Sequence, residues 1–476
     1  MHSECAAFNR ITPDILSELI SITGKDFILC GDAEILEPYS HDELSDPAYF
    51  AMPEVVVKPG SADEISLIMK IANREYIPVT PRGAGSGLSG GAIPVCGGIL
   101  LSLERMNRIL EIDQDNLIAV VEPGVVTNDL NKMVEKEGLF FAGYPMSLES
   151  CFIGGNVAEN AGGGRAIKYG VTGRYITGLE VVMPTGEICN FGGKRVKDVS
   201  GYNMVQLMIG SEGTLGIFTK IFVRLMPLPR AKIDMLVMFK DIETAISVVP
   251  IIMTKTRIIP TGIEFMDKLS LDTASDFIGE KKRFNECGAI LIIELDGNDP
   301  DLVREDCLSI GELCLDKGAL DAFIAEGPVD QEKIWNVRRR VAEAFKAISP
   351  EQSLEDIVVP MNNIPRLMPR LGELSEKYGV LIPCYGHAGD GNLHATIVKK
   401  PETSLEEWHR TLPSILKELY TITRELGGTI SGEHGIGHKR RDYLSVVLKE
   451  DEIMAMKKIK HALDPFNILN PGKIFI

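Results

Sequence analysis

Residues 80–98 read TPRGAGSGLSGGAIPVCGG, and seven of them are glycine. Glycine lacks a Cβ, so this backbone can take positive φ and come close to a ligand. Consecutive amides in such a loop form a concave nest suited to phosphate oxygens, and Arg82 adds a planar cation. A chain this rich in glycine here cannot continue a helix or strand. It either wraps as an irregular turn or cradles an anion. The lead-in is a βαβ pattern. Residues 54–57 are a short strand signal, Ser61-Ala-Asp-Glu64 is a capping box, and Ile65, Ile68, Met69 and Ala72 mark one helix face. Residues 77–80 then lead into the glycines.

Two further stretches bear on that choice. Residues 143–173 read GYPMSLESCFIGGNVAENAGGGRAIKYGVTG, and residues 210–217 read GSEGTLGI. None matches the P-loop pattern, and none has the strand-to-helix context of a dinucleotide GxGxxG motif. In this order the three loops resemble the flavin domain of the vanillyl-alcohol-oxidase-like superfamily. The resemblance implies FAD. Pro81, Arg82, Gly83, Gly85, Ser86, Gly87 and Leu88 would cradle the pyrophosphate. Pro145, Ser150, Gly154, Gly155, Asn156, Ala158, Asn160, Gly163 and Gly170 would line the ribityl chain and ring, joined by Gly216, Ile217 and Asn470. Members with covalent flavin usually carry His in the first loop. Ser86 and Gly87 stand there in this chain, so non-covalent FAD is expected.

The 476 residues suggest two or three domains, with 45% hydrophobic and 25% charged residues as in soluble globular proteins. A net charge of −17 argues against nucleic acid and anionic membrane as partners. No apolar run approaches the roughly 18 residues of a membrane span, and the N-terminus does not read as a signal peptide. The nine Cys are scattered without a CxxC pair, which predicts reduced cytoplasmic thiols and no iron–sulfur cluster.

Residues 1–50 read as a helical lead-in with a helix start at Thr12-Pro13-Asp14. Hairpins are expected at 109–113 with 117–122 and at 179–183 with 187–191. Met226-Pro-Leu-Pro229 marks a boundary. Beyond it, strand–helix–strand signals recur at 235–239, 242–253 and 262–266, then at 289–295, 302–315 and 320–325, suggesting a ferredoxin-like cap. A helix at 331–348, strands at 380–385 and 393–398, and helices at 405–426 and near 452–463 follow. The expected architecture is α+β: a two-part FAD-binding domain (1–227), a ferredoxin-like α/β cap for substrate (228–420), and a C-terminal helical segment (421–476) that returns to the FAD domain.

Residues 384–398 read CYGHAGDGNLHATIV. With 388–391 as the turn, His387 opposes Asn392 and Tyr385 opposes His394, so the two histidines are diagonal neighbours on one face, roughly 7 Å apart at the backbone. They are either unrelated or two metal ligands. Residues 431–438, SGEHGIGH, add Glu433 as an oxygen ligand and His434 as a base, with glycines that permit close approach. His438 could instead cap or solvate the next helix. Arg338 falls on the apolar stripe of Ile334, Val341 and Phe345, and a buried Arg needs an anion. A structural carboxylate and a substrate carboxylate both fit.

PRGAGSGLSGG, IGGNVAENAGG, GSEGTLGI, WNVR, GHAGDGNLH, GEHGIG and ILNPGK, in that order, resemble the FAD-linked D-2-hydroxy-acid dehydrogenases across nearly the whole chain. That family includes D-lactate dehydrogenases, D-2-hydroxyglutarate dehydrogenase and the glycolate oxidase flavin subunit. It implies one divalent metal (Zn, Fe or Mn) at His387, His394 and Glu433, a catalytic base at His434, and a carboxylate clamp at Arg338. Some members place a substrate-binding Lys before the strand that ends in Pro, and residues 353–360 here contain none. The implied reaction oxidises a small 2-hydroxy acid, D-lactate first, by hydride transfer to FAD. Electrons then pass to an outside acceptor such as an electron-transferring flavoprotein, in some relatives within a bifurcating complex.

Overall fold

The computed structural model describes residues 3–44, 46–143, 145–280, 284 and 286–475; Tyr144, in the second glycine stretch, lies outside them. The chain divides into two compact units. One comprises residues 1–162, 171–228 and 433–476, the other residues 163–170 and 229–432. The second unit therefore runs on past residue 420 to Gly432 and takes in a short piece of the second glycine stretch.

In the first unit, Thr12 accepts the amide of Ile15 and starts the helix Pro13–Thr23. Ser61 accepts the Glu64 amide at 3.2 Å, while the Glu64 carboxylate reaches back to the amide of Gly60, one residue before the box position. The helix that follows, Ala62–Glu75, buries Ile65, Ile68, Met69 and Ala72 against a four-stranded sheet. Strands Val55–Val57 and Val79–Arg82 both run parallel to Ile99–Ser102, which lies between them, and Ile28–Cys30 closes one edge antiparallel. A second, antiparallel sheet has five strands. Its hairpins are Ile109–Asp113 with Ile118–Val121 and Ile176–Val182 with Ile188–Gly192, and Ile217–Arg224 lies between the hairpins. The chain's end is tied to the first sheet: Val79 N donates to Ile468 O at 2.9 Å and Asn470 N to Val79 O at 2.7 Å.

Cys5 and Cys96 form a disulfide across 91 residues, so the cysteines are not all reduced thiols. A separation that long follows no local spacing rule, and only the fold brings the two together. Seven other cysteines are free.

The second unit is built on a seven-stranded antiparallel sheet. Strands Ala319–Ala325, Ala231–Phe239, Ala289–Gly297 and Gly262–Asp267 stand side by side in that order, the order of two interleaved strand–helix–strand units. Cys384–His387, Asn392–Val398 and Gln352–Val358 extend the sheet. Helices Lys268–Phe277 and Ile364–Tyr378 are additional to the expected elements. The single helix expected at 331–348 is two, Pro328–Arg339 and Val341–Ile348, parted at Arg340 where ψ is −4°. The break lets both halves bury their apolar side chains, Ile334 and Val337 from one and Val341 and Phe345 from the other, with Met266 and Tyr385 of the sheet. Among the described residues no helix is long and apolar enough to cross a membrane.

Candidate active site

In the first unit, Gly83, Gly85, Ser86, Gly87 and Leu88 form one wall of a cavity of about 230 Å³, and Pro145, Gly155 and Asn156 form another. A Cβ on Gly155 would meet no atom within 4 Å and would project into open space. A Cβ on Gly162 would stand 2.7 Å from Glu433 Oε2. Glycine backbone shapes much of this cradle, and side chains at those positions would fill it. That fits a flat, phosphate-bearing cofactor such as FAD. A contiguous space is lined by Pro81, Arg82, Gly154, Ala158, Gly216 and Ile217.

Five expected cofactor residues are not among those lining these two spaces. Ser150 and Asn470 line neither space. The Asn470 amide is spent on the carbonyls of Gly91 and Glu212, at 3.0 and 2.8 Å. Gly163 and Gly170 belong to the second unit. Asn160 faces a different groove. Arg82 lines the second space, but its guanidinium donates to the carbonyls of His41 and Pro38 at 2.6 and 3.2 Å. It braces the N-terminal segment, and burial lowers its pKa.

Glu433 and His434 line the same cavity as the first glycine loop, with Glu433 Oε1 3.9 Å from His434 Nε2. Their loop is anchored by a residue the motif reading passed over. Glu212, inside GSEGTLGI, accepts the amides of Ile436 and Gly437 at 2.8 and 2.6 Å. Gly435 takes φ +86°, and a Cβ there would stand 2.2 Å from Glu159 Oε2. Burial, with the neighbouring Glu212, raises the Glu159 carboxyl well above the usual range. His438 hydrogen-bonds to the carbonyl of Gly472 at 3.1 Å.

In the second unit the hairpin has the expected register, Tyr385 opposite His394 and His387 opposite Asn392. The His387 and His394 rings lie 5.4 Å apart, edge to face. Sequence reasoning missed Glu264, wholly buried on the neighbouring strand. Its Oε1 takes His387 Nδ1, and its Oε2 takes Nε and Nη2 of Arg338, each at 2.8 Å. Burial would raise this carboxyl, but His387 and Arg338 outweigh burial and hold it down at about 2. Arg338 also lies 4.9 Å over the Tyr385 ring. The signal was an acid in the apolar run Ile263-Glu264-Phe265. Asp356, opposite His394 on the next strand, is likewise buried and accepts from Asn392, Ser431 and the Gly432 amide at 2.6, 2.8 and 2.9 Å. A hydrogen-bonded carboxylate on Nδ1 is the usual support of a metal-binding imidazole, so the donor set suits a divalent ion.

These residues agree with what the chain resembles. Residues 53–192 match the FAD binding domain family, and residues 228–474 match the C-terminal domain of FAD linked oxidases. The chain belongs to the FAD-linked oxidases. It is 40% identical to the glycolate oxidase subunit GlcD of Bacillus subtilis, over 98% of this chain and 97% of that one. It is 37% identical to a D-lactate dehydrogenase of Anaerostipes hadrus, over 98% of each. Among solved structures, p-cresol methylhydroxylase superposes with a TM-score of 0.81 at 18% identity, covering 96% of both chains. The fold is of the vanillyl-alcohol-oxidase type, and the protein is an FAD-linked oxidoreductase of the D-lactate dehydrogenase and glycolate oxidase subunit kind.

Proposed function

We propose that the protein oxidises a D-2-hydroxy acid, D-lactate first, to the 2-oxo acid, with FAD bound non-covalently and one divalent metal held by His387, His394 and Glu433. The observation that carries this reading is the place of Glu433 and His434 in the wall of the glycine-lined cavity. His434 is the base that takes the proton of the substrate 2-hydroxyl. Arg338 orients the 1-carboxylate through Nη1, the guanidinium nitrogen that Glu264 does not engage. Glu264 keeps Arg338 and His387 in fixed relation, so the carboxylate clamp and the metal-binding imidazole are set together. When bound, FAD supplies the hydride acceptor, and the metal supplies a Lewis acid for the hydroxyl oxygen. The absence of Lys from residues 353–360 favours substrates with one carboxylate.

Anaerobic titration with D-lactate, L-lactate, glycolate and D-2-hydroxyglutarate tests the reading. D-lactate is expected to bleach the flavin band. Bleaching by glycolate alone would make this the flavin subunit of a glycolate oxidase instead, and no bleaching by any of the four would end the proposal. Acid precipitation should release all yellow colour into the supernatant, and colour left in the pellet would contradict non-covalent binding. For the metal, His394→Ala is expected to lose the ion and turnover while keeping its FAD. Metal-free enzyme with full activity would refute that assignment.

A further inference from the structure

A second groove in the first unit, with a volume of about 810 Å³, is lined by Arg174, Arg195, Arg224, Tyr202 and Asn203. In a chain of net charge −17 this is an unusual place. Asp198 is its one lining acid and is paired with Arg195 at 2.7 Å. Among the described residues Arg174 and Arg224 have no ion-pair partner, yet the charges of both bear on buried Tyr175. With no carboxylate partner, both leave the groove with a net positive charge open to an anionic partner.

The rim of the groove is unusual too. Tyr202 is 96% exposed, Val199 95% and Val196 64%. They sit on the irregular stretch between the strand Ile188–Gly192 and the helix Met204–Met208. Arginine beside an outward-facing Tyr is the composition of interface anchors. The groove also adjoins the glycine-walled cavity. Asn160 lines it, while Glu159 and Ala161 line the glycine-walled cavity, so one short stretch of backbone separates the two spaces.

We propose that this groove docks an acidic electron-acceptor protein, with Arg174 and Arg224 steering it and Tyr202 and Val199 covered on contact. The inference rests on the flavin-dehydrogenase reading. Each substrate oxidation leaves two electrons on the cofactor. The docked protein's own redox centre takes them, one at a time if it is a one-electron carrier, and the accompanying protons pass to solvent. Opposite charge raises the rate of encounter and makes it fall with salt.

The test starts from holoenzyme whose flavin has been reduced with one equivalent of dithionite, so it does not depend on which hydroxy acid is the substrate. Stopped-flow mixing follows re-oxidation by cytochrome b5, a small acidic haem protein, by cytochrome c, a basic one, and by neutral benzoquinone. The wild type should favour cytochrome b5, with a rate that falls as salt rises. In Arg174→Glu/Arg224→Glu the cytochrome b5 rate should fall about tenfold and the cytochrome c rate should rise, with benzoquinone unchanged. Arg174→Gln/Arg224→Gln should fall between. Tyr202→Ala should slow cytochrome b5 without altering its salt dependence. An unchanged cytochrome b5 rate in the charge reversal, or an equal loss with benzoquinone, would overturn the proposal. Failure of the dehydrogenase reading would appear separately, as no bleaching by hydroxy acids.

Discussion

His434→Gln is expected to lower kcat on the hydroxy-acid substrate by about 10²–10⁴-fold, the usual contribution of a positioned general base. Glutamine nearly keeps the side-chain volume and can still hydrogen-bond, but it cannot accept a proton near neutral pH. FAD content and the flavin spectrum should stay as in the wild type. The loop 435–437 is held by Glu212 and by the glycine at φ +86°. A companion variant, His434→Ala, should regain part of its turnover when imidazole is added, because the side chain lines an open cavity. If His434→Gln turns over at the wild-type rate, the base is another group and the mechanism above fails at its proton-transfer step. Loss of FAD would mean instead that the residue shapes the cofactor cavity.

Glu264→Gln should be the most damaging single change to stability. The carboxylate is wholly buried and serves two partners at once, the Arg338 guanidinium through one oxygen and the His387 imidazole through the other. Removing one member of a buried ion pair leaves an uncompensated charge, at a cost of about 3–5 kcal/mol. The same change takes the acceptor from His387 Nδ1, and loss of such a supporting contact typically weakens metal binding by about 10–100-fold. Two readouts separate these effects. Adding Arg338→Met to Glu264→Gln removes the stranded charge and should restore much of the melting temperature. It should not restore metal affinity, because His387 still lacks its acceptor. If Glu264→Gln melts like the wild type and keeps its metal, the carboxylate is a bystander.

Much of this protein was legible in its sequence, where the signal is local. Glycine clusters declare themselves because no other residue allows such backbone approach, and they located the cavity formed by Gly83–Leu88 with Gly155 and Asn156. The hairpin register at 384–398 followed from a four-residue turn and the two-residue period of a strand. The stripe that buries Arg338 followed from helical spacing, since Ile334, Arg338, Val341 and Phe345 are all buried. Periodicity did not reveal the break at Arg340, because no Gly or Pro marks it and the stripe stays in phase across it.

Tertiary structure decided the partners. Arg338 needed an anion, and spacing could not name it; Glu264 lies 74 residues away on a strand of the sheet that the helix packs on. Glu212 was visible as part of a glycine motif, but its role of holding the amides of Ile436 and Gly437 spans more than two hundred residues. Arg82 read as a phosphate fork from its neighbours in the chain, yet His41 and Pro38 take its donors. The Cys5–Cys96 disulfide was hidden for the same reason. Periodicity and turn chemistry act over a few residues and are written in order along the chain. Burial of a charge is settled by whichever groups the fold brings within hydrogen-bond reach, and that choice is made in space.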